Sequence, residues 1–415
     1  MTAVEYLNSF SWLGSRLGLD RIKELMQHLG NPQNMLKVIH LAGTNGKGST
    51  ACFVSSILKA AGLKVGLYTS PYIFSLHEQM QINGRQISDE SLEQVVDRVK
   101  SAAKNMQDHP TTFELITAAA FCWFFDEGCE IVVIETGMGG ELDSTNVVAA
   151  PELCIITPID MDHMEHLGKT IGVIAKAKAG IIKKNCPVIT SKQHPDAMDV
   201  LEKTAAKQNA ELYKIENINY GEFSFKGQWF SFDGLDNLKI SMLGEYQIEN
   251  AALAITAAKK LNISESAIRE GLETAMWPGR FQLVSTNPIF IADGGHNAQG
   301  ADALAFNLKK YFPNKKIIFV MGVLADKDLD AITAPILPIA DSFFTITPNS
   351  ARAMDAADLA EYLKGKGAIV FPGALEAAKD KAGDGGVVCY FGSLYGIGEI
   401  LEQNLGTPSQ TLQTF

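Results

Sequence analysis

The sequence predicts an α/β protein of two domains. The first is a doubly wound, mostly parallel sheet entered through a phosphate-loop strand and carrying a small antiparallel β insertion; the second is a smaller Rossmann-like α/β domain. Three observations lead there: short apolar runs rich in β-branched residues alternate with helical stretches along most of the chain, one stretch near the middle switches to a period of two, and 415 residues exceed what a single hydrophobic core usually supports.

Taken in order, strands are expected at 36–42, 65–68, 131–135, 154–157 and 188–190, and helices at 48–61, 113–126, 171–179 and 195–209. Between Leu212 and Met242 the aromatic residues Phe223, Phe225, Trp229, Phe230 and Phe232 alternate with polar ones, the mark of an antiparallel insertion. A helix pair at 245–261 and 264–276 follows. After Pro278-Gly279-Arg280 and Asn287-Pro288 a second alternating series begins, with strands at 289–292, 316–321, 343–346, 368–371 and 387–391 and a helix at 301–311. The domains are therefore drawn as 1–284 and 285–415, with the tail after Gly406 expected to be disordered.

Composition excludes several classes. The chain is 46% hydrophobic and 20% charged, as a globular enzyme is, and carries a net charge of -11. Nucleic-acid binding depends on clustered Lys and Arg, so a nucleic-acid partner is not expected. No basic leader followed by an apolar run opens the chain, and no apolar run is long enough for a membrane span. Six cysteines without a Cys-x-x-Cys pair read as reduced core residues. A cytoplasmic monomer acting on small molecules is the expectation.

The chemistry concentrates at strand ends. The strand Val38-Ile39-His40-Leu41-Ala42 runs into Gly43-Thr44-Asn45-Gly46-Lys47-Gly48-Ser49-Thr50 and then a helix. Glycines let backbone N–H groups converge on phosphates, the helix dipole favours their charge, and Lys47 can reach the terminal groups. The generic Gly-x4-Gly-Lys-Ser/Thr pattern is not met, since Leu41 stands at its first Gly and Gly48 separates Lys47 from Ser49. Further on, Ile131-Val132-Val133-Ile134 delivers Glu135 to the end of a strand, where an oxygen ligand can hold a hard cation. Taken alone, Ser70-Pro71 is also an ordinary strand-ending turn, and Thr111 followed by Glu114 also suits a helix start. His163 and His166 make only weak evidence for zinc, having no cysteine partners.

The loop Gly-Thr-Asn-Gly-Lys-Gly-Ser resembles that of the folylpolyglutamate synthase and dihydrofolate synthase family, a branch of the Mur-type amide ligases. Tyr68-Thr69-Ser70-Pro71-Tyr72, Thr111-Thr112-Phe113-Glu114, the run Glu135 to Asn146, Asp162-His163-Met164-Glu165-His166-Leu167-Gly168, Lys176 to Ile181, Gln247 to Asn250, Pro278 to Gln282 and Asp293 to Asn297 resemble further family segments in the same order. Gly322 to Asp328, Pro348 to Ala353 and Gly392 to Tyr395 continue the likeness to the end.

The resemblance implies an ATP-dependent acid–amino-acid ligase. It implies ATP on Thr44, Asn45, Gly46, Lys47, Gly48, Ser49, Asn250, Arg280 and Asp293, and two magnesium ions on Ser70, Glu135 and His163. It also implies a carbamylated Lys178, with Lys47 and His296 at the reacting centre. A pterin-bearing substrate is implied at Arg16, Leu17, Thr112, Phe113, Glu114, Leu142 and Asp143. The family carries Arg where this chain has Glu141, reversing a charge beside the substrate or phosphate. The reaction implied adds L-glutamate to a folate, to dihydropteroate, or to both, through an acyl phosphate, with the cleft between domains closing against water. Two other readings stay open: a peptidoglycan-type amino-acid ligase, disfavoured because only 42 residues precede Gly43, and a non-catalytic ATP-binding paralogue.

Overall fold

The computed structural model describes residues 1–405; the tail expected to be disordered lies outside the described residues. The chain divides into two compact units. The first comprises Met1–Tyr220, Phe230–Leu238 and Glu249–Ala275, and the second Gly221–Trp229, Lys239–Ile248 and Met276 onward.

The first unit is built on eight strands: β1 (Val38–Ala42), β2 (Val65–Tyr68), β3 (Met80–Ile82), β4 (Arg85–Gln86), β5 (Ile131–Glu135), β6 (Leu153–Ile156), β7 (Val188–Thr190) and β8 (Leu212–Lys214). Their order is β4-β3-β2-β5-β1-β6-β7-β8. The pairs from β2 to β8 run parallel, and β3 and β4 add an antiparallel edge. Every residue of β1, β5 and β6 is buried, which is why these strands read as unbroken apolar runs: helices cover both faces of a parallel sheet. Leu212–Lys214, expected to open the antiparallel insertion, instead pairs in parallel with β7. Three residues are too few to show whether one face or both are covered, so periodicity could not assign that strand.

Helix ends follow local chemistry. The helix Thr112–Asp126 starts at a capping box, with Thr111 and Glu114 each taking the other's backbone N–H. It is apolar nearly all round and correspondingly buried. Beyond β8, the insertion forms a three-stranded sheet of β9 (Asn219–Ser224), β10 (Gly227–Phe232) and β11 (Leu235–Ile240) in the order β11-β10-β9. Two-residue connections can join only antiparallel strands, so this part is the meander that the period of two predicts.

The second unit holds six strands, β12 (Gln282–Thr286), β13 (Ile289–Ala292), β14 (Ile317–Met321), β15 (Ala340–Thr345), β16 (Val370–Phe371) and β17 (Val387–Phe391), ordered β12-β13-β17-β14-β15-β16. All neighbours are parallel except β12, which returns along β13 through a two-residue turn. The core here is aromatic, with Phe319 stacked on Phe343 at 5.5 Å. All six cysteines are buried. Among the described residues no helix is long and apolar enough to cross a membrane.

Candidate active site

In the strand order β2-β5-β1-β6, the chain leaving β1 crosses to β2 on one side and the chain leaving β5 crosses to β6 on the other. The connections part beyond the carboxyl ends of β1 and β5, the place where open α/β sheets bind ligands. The predicted phosphate loop and Glu135 both sit there.

The helix Lys47–Ala60 begins at Gly46, whose φ of +86° is in the left-handed region, and no side chain caps it. An uncapped helix start presents N–H donors and a positive dipole end to an anion. Thr44 ties the loop to the segment after β6: its N–H donates to the Pro158 carbonyl (2.9 Å), its hydroxyl to the Asp160 carbonyl (3.0 Å), and Asp160 N–H donates back to the hydroxyl (3.0 Å). Asn45 N–H donates to Pro158 as well. Asn250 reaches the same loop from 200 residues away: the Thr50 hydroxyl donates to its Oδ1 at 3.4 Å, and any Cβ on Gly46 would overlap that oxygen. Gly46 is therefore required twice, by its backbone conformation and by Asn250.

Lys47 Nζ lies 3.8 Å from Glu135 Oε1 and donates to the Thr44 carbonyl at 3.3 Å. Glu135, 5% exposed, also accepts from Ser70 N–H at 3.4 Å, so Ser70 and Glu135 form one oxygen-bearing corner. Among the described residues no three His, Cys, Asp or Glu side chains gather closely enough to cage a metal. A carboxylate with a neighbouring hydroxyl instead suits magnesium, which keeps several waters and takes its other ligands from substrate phosphates.

Lys178, at the end of the helix Ile171–Ala179, is buried, and its Nζ donates to the Gly43 carbonyl at 2.6 Å. Burial, with Lys47 adding its charge, pulls the amine down to about 7, while Asp162 and Asp143 oppose the shift. His163 follows Asp162 with a left-handed φ of +49°; its ring is half exposed and lies 3.8 Å from Asp162 Oδ2.

The helix bearing Lys178 also lines a cleft of about 190 Å³, whose lining includes Leu17, Leu142, Gly139, Gly140, His166 and Lys176. Two of the substrate residues that the sequence proposes, Leu17 and Leu142, thus meet in one cavity. Others are occupied structurally. Arg16 grips Asp108 through two nitrogens (2.8 and 3.1 Å), the Thr112 hydroxyl donates to the Leu7 carbonyl, and Glu114 accepts from Thr111 N–H (2.7 Å) and Arg21 Nε (3.1 Å). Phe113 packs against Gly137, and Asp143 is buried with its carboxylate satisfied by backbone N–H groups and Thr145. The contacts of Asp108, Arg21 and the Asp160 backbone carry no local sequence signal, since each partner lies far along the chain.

Within the second unit, Asp293 follows β13 and is 4% exposed. It accepts from Phe281 N–H (2.8 Å), Gly295 N–H (2.7 Å) and the Tyr246 hydroxyl (3.3 Å). Burial raises its carboxyl, against the neighbouring Arg280 charge and these donors. His296 Nδ1 lies 3.1 Å from the Gly294 carbonyl, and Arg280 Nη1 is beside Gly294. Arg280, Asp293 and His296 are accordingly grouped at one strand end.

A strand-loop-helix phosphate site in a doubly wound sheet, followed by a second α/β unit, is the plan of the Mur ligases. Residues 41–258 match the Mur ligase middle domain, and residues 279–394 the Mur ligase glutamate ligase domain. The dihydrofolate synthase/folylpolyglutamate synthase of Bacillus subtilis (strain 168) is 37% identical over 95% of this chain and 98% of its own length. Among solved structures, Mycobacterium tuberculosis folylpolyglutamate synthase complexed with ADP and AMPPCP superposes with a TM-score of 0.87 at 29% identity, covering 96% of this chain and 98% of that one. Escherichia coli FolC in complex with DHPP and ADP gives 0.87 at 29% identity and 97% coverage of both chains. The chain belongs to the dihydrofolate synthase/folylpolyglutamate synthase family.

Proposed function

We propose that this protein uses ATP to join L-glutamate to the carboxylate of a folate, of dihydropteroate, or of both. The observation that carries the reading is the convergence of Lys47, Glu135 and Lys178 on the glycine loop at the strand ends. A carboxylate is a poor electrophile at neutral pH, so its oxygen first attacks the γ-phosphorus of ATP. The bond to the β–γ bridging oxygen breaks and ADP leaves. The glutamate amine then attacks the acyl carbon, phosphate leaves with the C–O bond electrons, and the amine proton passes to solvent.

Lys47 offsets the charge of the migrating phosphoryl group, and the Gly46 to Ser49 backbone cradles the phosphates. Ser70, Glu135 and His163 are the residues that would hold two magnesium ions. When bound, these ions neutralise triphosphate charge. Asn250 on the loop, with Arg280 and Asp293 in the second unit, would take the rest of the nucleotide, and His296 would face the reacting groups. Carbon dioxide addition to neutral Lys178 would turn a buried cation into an oxygen ligand. Leu17 and Leu142, with Arg16, Thr112, Phe113, Glu114 and Asp143 shaping their surroundings, would seat the pterin end of the acid in the cleft. The relatives support this reading, since they are complexed with ADP, AMPPCP and DHPP.

Incubation with ATP, glutamate and either dihydropteroate or a reduced folate should release ADP only when all three are present and yield a product one glutamyl unit heavier by mass spectrometry. ADP release independent of glutamate, or no product with either acid, would overturn the assignment.

A further inference from the structure

Behind the cleft runs a buried chain of polar groups. His40, in the middle of the otherwise apolar strand β1, is fully buried, and its Nε2 lies 2.8 Å from Thr145 Oγ1. Thr145 Oγ1 donates to Asp143 Oδ1 at 2.6 Å, and the same oxygen accepts from Thr145 N–H at 3.0 Å. The other carboxylate oxygen accepts from Met138 N–H at 2.8 Å. Since the one hydroxyl proton of Thr145 is given to Asp143, His40 donates at Nε2 and is held as a single tautomer. Its Nδ1 has no hydrogen-bond partner among the described residues. Burial lowers the ring to about 3, with the Lys183 charge assisting, so the imidazole is neutral at working pH.

An imidazole at the centre of a buried strand is expensive in desolvation and leaves a nitrogen unpaired, where an aliphatic side chain would cost nothing of the kind. What the histidine contributes is a tether. Met138 and Asp143 close the ends of a short loop, and Met138 to Leu142 form one wall of the cleft. That wall also rests on the helix bearing Lys178: Glu141 N–H donates to the Ala177 carbonyl at 2.7 Å, and a methyl group on Gly140 would come within 2.8 Å of the Lys178 carbonyl.

We propose that His40 is a positioning residue, acting through Thr145 and Asp143 to hold the Met138–Leu142 wall in the shape that seats the acid substrate. The proposal rests on the reading of this cleft as the acceptor site. It makes β1 serve two sites at once, leading into the phosphate loop at its end and fixing the acceptor wall from its middle.

The test compares His40→Phe, Thr145→Val and the double variant with the conservative His40→Gln and Thr145→Ser. Two measurements are made: amide hydrogen exchange across 137–143 in the ligand-free protein, and KM for acid and for ATP with kcat. Losing one buried hydrogen bond should speed exchange of the wall amides and raise the acid KM about tenfold, leaving the ATP KM within about twofold. The double variant should be no worse than either single one, as expected of a single coupled chain, and the conservative pair, His40→Gln and Thr145→Ser, should retain most of the original behaviour. Should the His40→Phe protein fail to fold, Thr145→Val reads the same link. Unchanged wall exchange, additive effects, or equal rises in both KM values would overturn the relay. A loosened wall with an unchanged acid KM would overturn the proposal too, and would place the fault in the reading of the cleft, not in the hydrogen-bond chain.

Discussion

Lys178 offers a chemical prediction that its surroundings make quantitative. With the amine lowered to about 7, about half the molecules carry a neutral Nζ at pH 7. An ordinary lysine near 10.5 would be neutral in about three of ten thousand, so the site raises the reactive fraction on the order of a thousandfold. The neutral nitrogen can add carbon dioxide, forming an N–C bond and releasing a proton. The sign follows from the direction of the shift: lowering the pH through 7 restores the cation and withdraws the nucleophile, leaving about a tenth neutral at pH 6. The same depression costs stability: as pH falls from about 10.5 to 7 the unfolded chain takes up a proton that the folded one does not, so the cost is absent above that window, grows across it and is fully present below it. Carbon-13 NMR of protein in labelled bicarbonate should show a carbamate resonance that disappears in Lys178→Met. Activity should fall at least about tenfold after removal of carbon dioxide at pH 6 and return with bicarbonate. Full activity in depleted buffer, without any carbamate resonance, would refute the reasoning.

Other outcomes follow from single contacts. Lys47→Ala should lower glutamate-dependent ADP formation by about two to three orders of magnitude with little change in melting temperature, because Lys47 makes only a 3.3 Å bond and a 3.8 Å ion pair; retained turnover would remove the loop from the mechanism. Gly140→Ala drives a methyl into the Lys178 and Ala177 carbonyls, and should cost about 1–3 kcal/mol in urea denaturation. Arg21→Ala strands Glu114, which is 1% exposed, and should cost about 3 kcal/mol; an unchanged urea midpoint would show that the ion pair contributes nothing. For His40, lowered to about 3 by burial, the neutral ring is fully compatible with the fold above about pH 6.5, and stability is lost as pH falls toward 3. His40→Gln should flatten that part of the stability–pH curve, and an unchanged slope would count against it.

Much of the first sheet was legible because parallel strands buried on both faces must be apolar throughout. The expected strands at 65–68, 131–135, 188–190, 289–292 and 387–391 coincide with those observed; the others differ by a residue or two at their ends, except the strand expected at 343–346, which begins three residues earlier, at Ala340. What escaped is instructive. β3 and β4 are short, partly polar edge strands, and β12 is only half buried, so none has the continuous apolar signal of an interior strand. The helix Asp89–Ala103, not among the expected elements, has a clear apolar stripe of Leu92, Val95, Val96 and Val99. At the site, glycines and Lys47 announced themselves through local spacing, whereas the roles of Asp160, Arg21 and Thr145 depend on partners up to 116 residues distant.

Local order along the chain was enough to specify the glycine loop after a buried strand, the carboxylate at the next strand's end and the family to which both belong, since these signals reside in neighbouring residues whose φ/ψ demands and spacing are read directly. Folding alone determined that Asn250 would press on Gly46, that Lys178 would lose its hydration and point at Gly43, and that His40 would be tied to the wall of a cleft. Desolvation and close approach are properties of the packed interior, created when distant segments meet and absent from any one of them beforehand.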